Sequence, residues 1–478
     1  MSGGRAASSG VLWAGISQGG RIVAQIVTVS VLSRILPPAD FGLIAIATVV
    51  TTFATLLRDM GTAAAVIQRK ELKPELVNTV FWFNVLVGLS LALLVAASAL
   101  PLSIAFKQPR LGAILLALTV TFPSASVGAV HQALLEREMR FRTLARIEVS
   151  SALVALAIAI VAALSGFGVY SLVLNTIAIS LFASGQLWFA SRWRPRFAWS
   201  RAEFHSLWGF SGNLFGFQVV NYFSRNADTM LIGRFLGATD VGIYNMAYRI
   251  MLFPLASLST VISRVMFPML SRKQGDTAAF GAMYLKVASA IGIITIPLMA
   301  ALWVLRIPFV EVVLGRNWLP VAEVLAWFAP VGMIQSILTT VGVIYMGTGN
   351  TKRMLQWGMG YAAVLIVFIA VGLNWGYLGV ARAYALAVFV AVYPAFAIPL
   401  RLVGLRVPSL VAALWRPGVA AIGMALVLFA LEMALHGLVP ATVRLPLLVA
   451  VGVGVYLVLG WLIMRTALLE LLQAIRPK

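Results

Sequence analysis

Four arginines stand deep in runs of sequence that are otherwise apolar: Arg21, Arg58, Arg225 and Arg249. Each lies about three helical turns from either end of its run, too far for easy snorkelling, and arginine at the centre of a membrane helix costs roughly 2.5 to 3.5 kcal/mol. Such a cost needs a local reason. A planar guanidinium holds phosphate oxygens in bidentate fashion, more strongly in a dry setting, so the four together predict a shared cationic cavity for an anionic substrate. A structural role competes with this. Asp59 directly follows Arg58, and Asp228 sits one turn beyond Arg225 at a spacing that allows an ion pair along the helix. Arg21 and Arg249 have no acidic neighbour on their own helix. Arg264, Lys286 and Arg416 lie nearer a cytoplasmic end, and Arg382 and Glu432 nearer the outer face, where snorkelling explains them.

The elements that carry these groups are repeated. Gln18, Arg21, Gln25 and Thr28 fall at i, i+3, i+7 and i+10, and Gln218, Asn221, Arg225 and Asp228 occupy the same slots two hundred residues later. That spacing places four polar groups on one face of a helix. Such a stripe cannot face lipid, where an unpaired polar group costs several kcal/mol, so both stripes face protein or a water-filled space. Each stripe leads into an Arg-x-Leu-x-x-x-Asp-x-Gly signature, Arg34, Leu36, Asp40 and Gly42 in one copy and Arg234, Leu236, Asp240 and Gly242 in the other.

The 478 residues are 61% hydrophobic and 11% charged, which marks a polytopic membrane protein. Apolar runs of about 20 residues predict roughly fourteen helices, near 11–35, 41–67, 77–100, 110–135, 147–165, 168–190, 207–233, 240–270, 280–304, 318–347, 354–373, 377–400, 410–434 and 444–464. Only Ser165 and Gly166 mark the turn between the fifth and sixth. The even-numbered connections and both termini hold about 21 Lys and Arg against about 7 in the odd-numbered ones, so both termini and the even loops are expected in the cytoplasm. The net charge of +21 is thus largely a topological signal with a by-product attraction to anionic membrane lipid, and it does not point to nucleic acid. Six spans precede the Trp193–Phe204 loop and six follow. The expected architecture is all-α, with two six-helix lobes, residues 1–200 and 201–405, related by a parallel pseudo-two-fold repeat, and a two-helix appendage at 406–478. Two such lobes form a cavity without a dimer. The first apolar run lacks a signal peptide's charged start and cleavage site and is expected as a retained span.

Other residues read as packing. His131 is a lone imidazole on an apolar helix, Trp303, Trp318, Trp327, Trp357 and Trp375 fit an interfacial belt, and Pro268, Pro297, Pro330 and Pro394 could create kinks that act as hinges, although transmembrane helices tolerate proline without such a role. The chain has no cysteine, no Gly-Lys dipeptide for a phosphate loop, and no zinc-hydrolase or serine-hydrolase motif, so neither metal nor cofactor is expected and enzyme readings are poor.

The segments "SRILPPADFGLIAIATVV", "LLRDMGTAAAVIQRK" and "FWFNVLVG" resemble the polysaccharide transport branch of the multidrug/oligosaccharidyl-lipid/polysaccharide exporter superfamily, closest to Wzx-like and colanic-acid-type exporters. The resemblance is strongest over the first 200 residues and rests on hydropathy past Val407. It implies a flippase of the bacterial inner membrane that moves an undecaprenyl-pyrophosphate-linked oligosaccharide to the periplasmic leaflet by alternating access, in company with a polymerase or other polysaccharide-assembly proteins. Arg21, Arg58 and Arg225, with Arg249, match the basic cavity of similar proteins, and Gln18, Gln25, Gln218 and Asn221 share its polar stripes. Where a cation gradient drives related exporters, Asp59 or Asp228 would be the coupling carboxylate; H⁺, Na⁺ and membrane potential stay open as drivers. A lipid II flippase, a drug/cation antiporter and, from another class, a polysaccharide polymerase are the alternatives. The antiporter would want acids in the membrane, where this chain has mainly arginine, and the polymerase would want long outer loops.

Overall fold

In a computed structural model of the chain the described residues are 19–20, 23–58, 66–67, 69, 72–201, 203–204, 212–253 and 277–475, and among them the secondary structure is helical throughout. They fall into two compact units, Met1–Gly242 and Ile243–Lys478. The first contains α1 (Val23–Ile35), α2 (Pro38–Arg58), α3 (Pro74–Ala105), α4 (Pro109–Leu118), α5 (Thr121–Arg137), α6 (Phe141–Leu164), α7 (Tyr170–Ala190) and α8 (Gly212–Phe235). Helix α9 (238–253) begins in this unit and continues in the second. There follow α10 (Thr277–Val304), α11 (Arg306–Val313), α12 (Pro320–Leu338), α13 (Val341–Gly347), α14 (Thr351–Gly372), α15 (Gly376–Leu402), α16 (Val407–Leu435) and α17 (Ala441–Ile475).

Local chemistry sets many of these boundaries. Proline opens α2, α3, α4 and α12, where its missing N–H is one of the helix start's unpaired donors anyway. The turn between α6 and α7 falls at Ser165 and Gly166, whose φ of +82° suits glycine. The helices run on through Pro297, Pro330 and Pro394. Among the described residues, ten helical stretches are long and apolar enough to cross a membrane, one of which, Thr351–Leu402, contains both α14 and α15. Helix α8 is long enough but carries Arg225, Asp228 and Arg234, so its polar stripe takes it out of that set.

The pseudo-repeat is visible residue by residue. Helix α1 ends at 35 and α2 begins at 38; α8 ends at 235 and α9 begins at 238. Leu36 N donates to Leu32 O and Leu236 N to Ile232 O, both at 2.8 Å. The first copy turns on Pro37 and Pro38, the second on Gly237 with φ +104°. A second correspondence sits deeper in each half. The fourth predicted span divides at Thr119–Val120 into α4 and α5, and the tenth at Thr339–Thr340 into α12 and α13. In both, threonine hydroxyls donate to carbonyls at the break: Thr119 to Leu116 and Thr121 to Leu118 at 2.6 Å, Thr339 to Ser336 at 2.9 Å and Thr340 to Ile337 at 2.6 Å. Side-chain hydroxyls are one way a membrane helix satisfies an interruption.

Candidate anion-binding site

Of the predicted stripe on the first helix, Gln25 is exposed on α1, and the Thr28 hydroxyl turns inward to the Ala24 carbonyl at 2.7 Å. Gln18, Arg21 and Asp59 lie outside the described residues, as do Arg264 and Pro268. The second stripe is better defined. Gln218 falls on α8 one turn before Asn221, and Asn221 and Arg225, a turn apart, are both exposed.

Two contacts fix α8 on α2. The Tyr222 hydroxyl donates to Val49 O at 2.5 Å, and Phe53 packs against Tyr222 and Phe223 at centroid distances of 5.7 and 4.9 Å. Tyr222 and Phe223 project from the side of α8 away from Asn221 and Asp228, as 100° per residue requires. Between α2, α3 and α8 lies an apolar cavity of about 260 Å³, lined by residues such as Ile46, Phe53, Leu57, Leu94 and Phe223. Hydrocarbon walls of this kind do not bind an anion.

Asp228 is buried, and its Oδ1 accepts the Thr229 backbone N–H at 2.7 Å and lies 3.4 Å from the Thr229 hydroxyl. Among the described residues no ion pair joins it to Arg225. Arg58 ends α2 and is half-buried. Arg249 sits on α9 with its side chain exposed. The described structure therefore gives Arg225 and Arg249 accessible guanidinium groups on helices that the sequence places in the membrane.

Several groups outside this set have their own partners. His131 is fully buried against Phe81, Trp188 and Trp193, with centroids 6.3, 4.7 and 5.4 Å away, so it packs as expected, but neither ring nitrogen has a hydrogen-bond partner. Trp318 departs from the interfacial belt: it is wholly buried at the end of a short 3-10 turn, Arg316–Trp318. Glu432 pairs with Arg444 across α16 and α17 at 3.2 Å rather than snorkelling alone. Among the described residues no cluster of His, Asp or Glu could hold a metal ion.

Sequence reasoning missed a polar aromatic group in the second unit. Tyr248, the residue before Arg249, comes together with Gln335, Tyr361 and Tyr384 from four helices. No fixed spacing announces residues so far apart in the chain; the one available signal was an excess of tyrosine and amide groups inside apolar spans.

The sequence profile of a family described as polysaccharide biosynthesis protein matches residues 31–323. The teichuronic acid biosynthesis protein TuaB of Bacillus subtilis is 25% identical over 456 residues, 94% of each chain. The succinoglycan biosynthesis transport protein ExoT of Rhizobium meliloti is 29% identical over 476 residues, 98% of this chain and 95% of that one. The lipopolysaccharide biosynthesis protein WzxC of Escherichia coli is 26% identical over 436 residues, 90% and 88%. Among solved structures, lipid II flippase MurJ in an inward closed conformation superposes with a TM-score of 0.75 at 16% identity, covering 95% of this chain and 99% of that one. An inward-facing multidrug resistance MATE family transporter of the MOP superfamily gives 0.52 at 14% identity, with 83% and 94% covered. Likeness at these identities is likeness of fold.

Proposed function

The chain belongs to the polysaccharide biosynthesis protein family, within the multidrug/oligosaccharidyl-lipid/polysaccharide exporter superfamily, and on that premise we propose that it flips an undecaprenyl-pyrophosphate-linked oligosaccharide from the cytoplasmic to the periplasmic leaflet. It is a multi-pass transporter of the bacterial inner membrane and not an enzyme. Its fourteen spans start and end in the cytoplasm, as the distribution of Lys and Arg requires.

The observation that carries the reading is Arg225: exposed, on a helix that the sequence places in the membrane, and, among the described residues, without an ion pair to the aspartate one turn away. A guanidinium at that depth is stabilised by an anion that visits it. Arg21, Arg58 and Arg249 complete a cationic cavity for the pyrophosphate, and Gln18, Gln25, Gln218 and Asn221 line its approach. Alternating exposure of this cavity to the two faces of the membrane moves the headgroup while the isoprenoid chain stays in lipid. Asp228, or Asp59, is the carboxylate through which H⁺ or Na⁺ couples to that cycle. The substrate reaches the protein from assembly enzymes on the cytoplasmic side and leaves toward a polymerase on the other. A lipid II flippase needs the same basic cavity, and the similarity of the relatives named for teichuronic acid, succinoglycan and lipopolysaccharide synthesis favours a polysaccharide precursor instead.

The test is the sidedness of lipid-linked oligosaccharide in cells depleted of the protein, beside strains carrying Arg225→Ala or Arg249→Ala at equal abundance. Accumulation in the cytoplasmic leaflet in all three supports flipping through the cationic site. Normal sidedness after depletion, in cells without a second exporter, would overturn it.

A further inference from the structure

Tyr248, which precedes Arg249 on α9, belongs to a group of hydrogen-bonding aromatic side chains in the second unit that apolar helix packing does not require. Tyr248 of α9 meets Phe328 of α12 and Tyr384 of α15 edge to face, with ring centroids 5.9 and 6.0 Å apart. The Gln335 amide of α12 donates to Tyr384 Oη at 2.6 Å. Tyr361 of α14 lies close to Tyr248 and Tyr384, and it stacks on Trp357 one turn earlier with ring planes 16° apart. Tyr384 is buried, whereas Tyr248, Gln335, Trp357 and Tyr361 keep accessible surface and Arg249 is exposed.

Leucine or phenylalanine would fill the same space without a polar atom to satisfy, and each hydroxyl or amide placed in hydrocarbon carries a desolvation cost. Here three tyrosines and a glutamine converge on one place. Gln335 stands one turn before Thr339 and Thr340, where α12 gives way to α13, and interrupted helices at matching positions of two halves mark binding sites in transporters. A pyranose ring has an apolar C–H face and a rim of hydroxyls. Aromatic rings with polar tips complement both at once.

We propose that Tyr248, Gln335, Trp357 and Tyr361 form a saccharide subsite beside Arg249, taking the sugar next to the pyrophosphate of the lipid-linked glycan. The indole and phenol faces of Trp357 and Tyr361 receive the C–H face of the ring. Gln335 and Tyr248 hydrogen-bond its hydroxyls, with buried Tyr384 orienting them as a positioning residue. The subsite rests on the flippase reading and deepens it: Arg249 serves the phosphate, the aromatic group the sugar.

The experiment measures binding of two probes to the full-length protein in lipid nanodiscs: undecaprenyl pyrophosphate, and undecaprenyl pyrophosphate bearing one glucose or one galactose. Wild type is expected to bind a glycosylated probe at least tenfold more tightly than the bare one. Tyr361→Ala and Gln335→Ala should reduce the glycosylated probe to the affinity of the bare one while leaving the bare probe within twofold of wild type. Tyr361→Phe, which keeps the stacking face, should retain part of the preference. Arg249→Ala should weaken both probes. Thermal melts of each variant confirm that it is folded. Equal affinity of wild type for all the probes, or equal loss on bare and glycosylated probes in Tyr361→Ala and Gln335→Ala, overturns the subsite and leaves the pyrophosphate site standing. A wild type that binds none of the probes overturns the flippase reading and the subsite together.

Discussion

Gly42 lies directly against Gly242. A Cβ added to Gly42 would overlap the carbonyl oxygen of Ala238 and stand 2.9 Å from Gly242 N; one added to Gly242 would overlap the carbonyl oxygen of Pro38 and stand 3.2 Å from Gly42 N. Pro38 and Ala238 occupy equivalent slots of the repeat, as do the two glycines, so the contact is reciprocal. The last position of each signature is therefore where the two copies touch, and a small residue four places after the helix start lets the backbones close up.

That contact predicts a stability effect from the smallest branched side chain. The atoms in the way belong to backbone, which cannot rotate aside, so Gly42→Val or Gly242→Val should destabilise by about 1 to 3 kcal/mol or more. Gly454, with nothing within 4 Å of an added Cβ, is the control. Thermal melting in detergent checks this: equal melting of Gly42→Val and Gly454→Val would contradict the close approach.

Arg225 separates a transport role from a structural one. Because it is exposed and makes no ion pair with Asp228 among the described residues, Arg225→Ala strands no buried charge, and stability should stay within about 0.5 kcal/mol. Flipping should fall at least tenfold, by roughly the 1.4 kcal/mol or more that a charge-assisted contact contributes. A structural pair would instead cost about 3 to 5 kcal/mol of stability on losing one partner. Melting and transport measured on one preparation distinguish the two.

The sequence announced what period and charge can carry. The α8 stripe, the turn at Ser165 and Gly166, and the matched starts of α2 and α9 followed from spacing and from proline or glycine chemistry. It did not announce contacts between distant segments. Arg444 as the partner of Glu432, the burial of Trp318, and the meeting of Gln335 with Tyr384 depend on how helices cross. Nor did hydropathy reveal the breaks at Thr119 and Thr339: a two-residue interruption whose carbonyls are capped by threonine leaves an apolar run looking continuous.

Glu432 and Arg444 form a nearly buried pair, with side-chain exposures of 16% and 5%. Arg444 Nη1 also lies 3.2 Å from His436 Nδ1. Removing one member leaves the other charged in a dry setting, so Glu432→Gln or Arg444→Gln should each cost about 3 to 5 kcal/mol, while Glu432→Leu with Arg444→Leu should recover most of the loss. A double-mutant cycle read by thermal melting checks it. Additive losses would show that the pair does not couple.

His131 reverses the usual sign of a core mutation. Its ring is packed among aromatics but both nitrogens are buried without hydrogen-bond partners, each a group withdrawn from water without compensation. His131→Phe keeps the ring contacts and removes the polar atoms, so stability should be unchanged or higher by up to about 2 kcal/mol. A loss of more than about 1 kcal/mol on melting would mean that overpacking outweighs the polar relief.

The connection after α7 is pinned to the start of α3, which makes its mobility adjustable. Buried Asn78 accepts the Arg196 N–H at 2.7 Å through Oδ1, Thr79 Oγ1 accepts the Ser200 N–H at 3.0 Å, and Trp82 Nε1 donates to the Arg196 carbonyl at 2.9 Å with its ring stacked on Phe197. Arg69 adds an ion pair to Glu203 at 2.6 Å. A connection held this way follows α3 rather than swinging free. Asn78→Ala removes one acceptor from a backbone donor and leaves that donor to find water, a loss of about 1 to 3 kcal/mol of local stability. Because proteolysis of an exchanging segment tracks its open population, trypsin cleavage after Arg192, Arg196 or Arg201 should quicken by about 5-fold to 100-fold in Asn78→Ala. Thr79→Ser keeps the hydroxyl that accepts the Ser200 N–H and should cleave at nearly the wild-type rate. Equal cleavage of wild type and Asn78→Ala would show that the connection opens without breaking this contact.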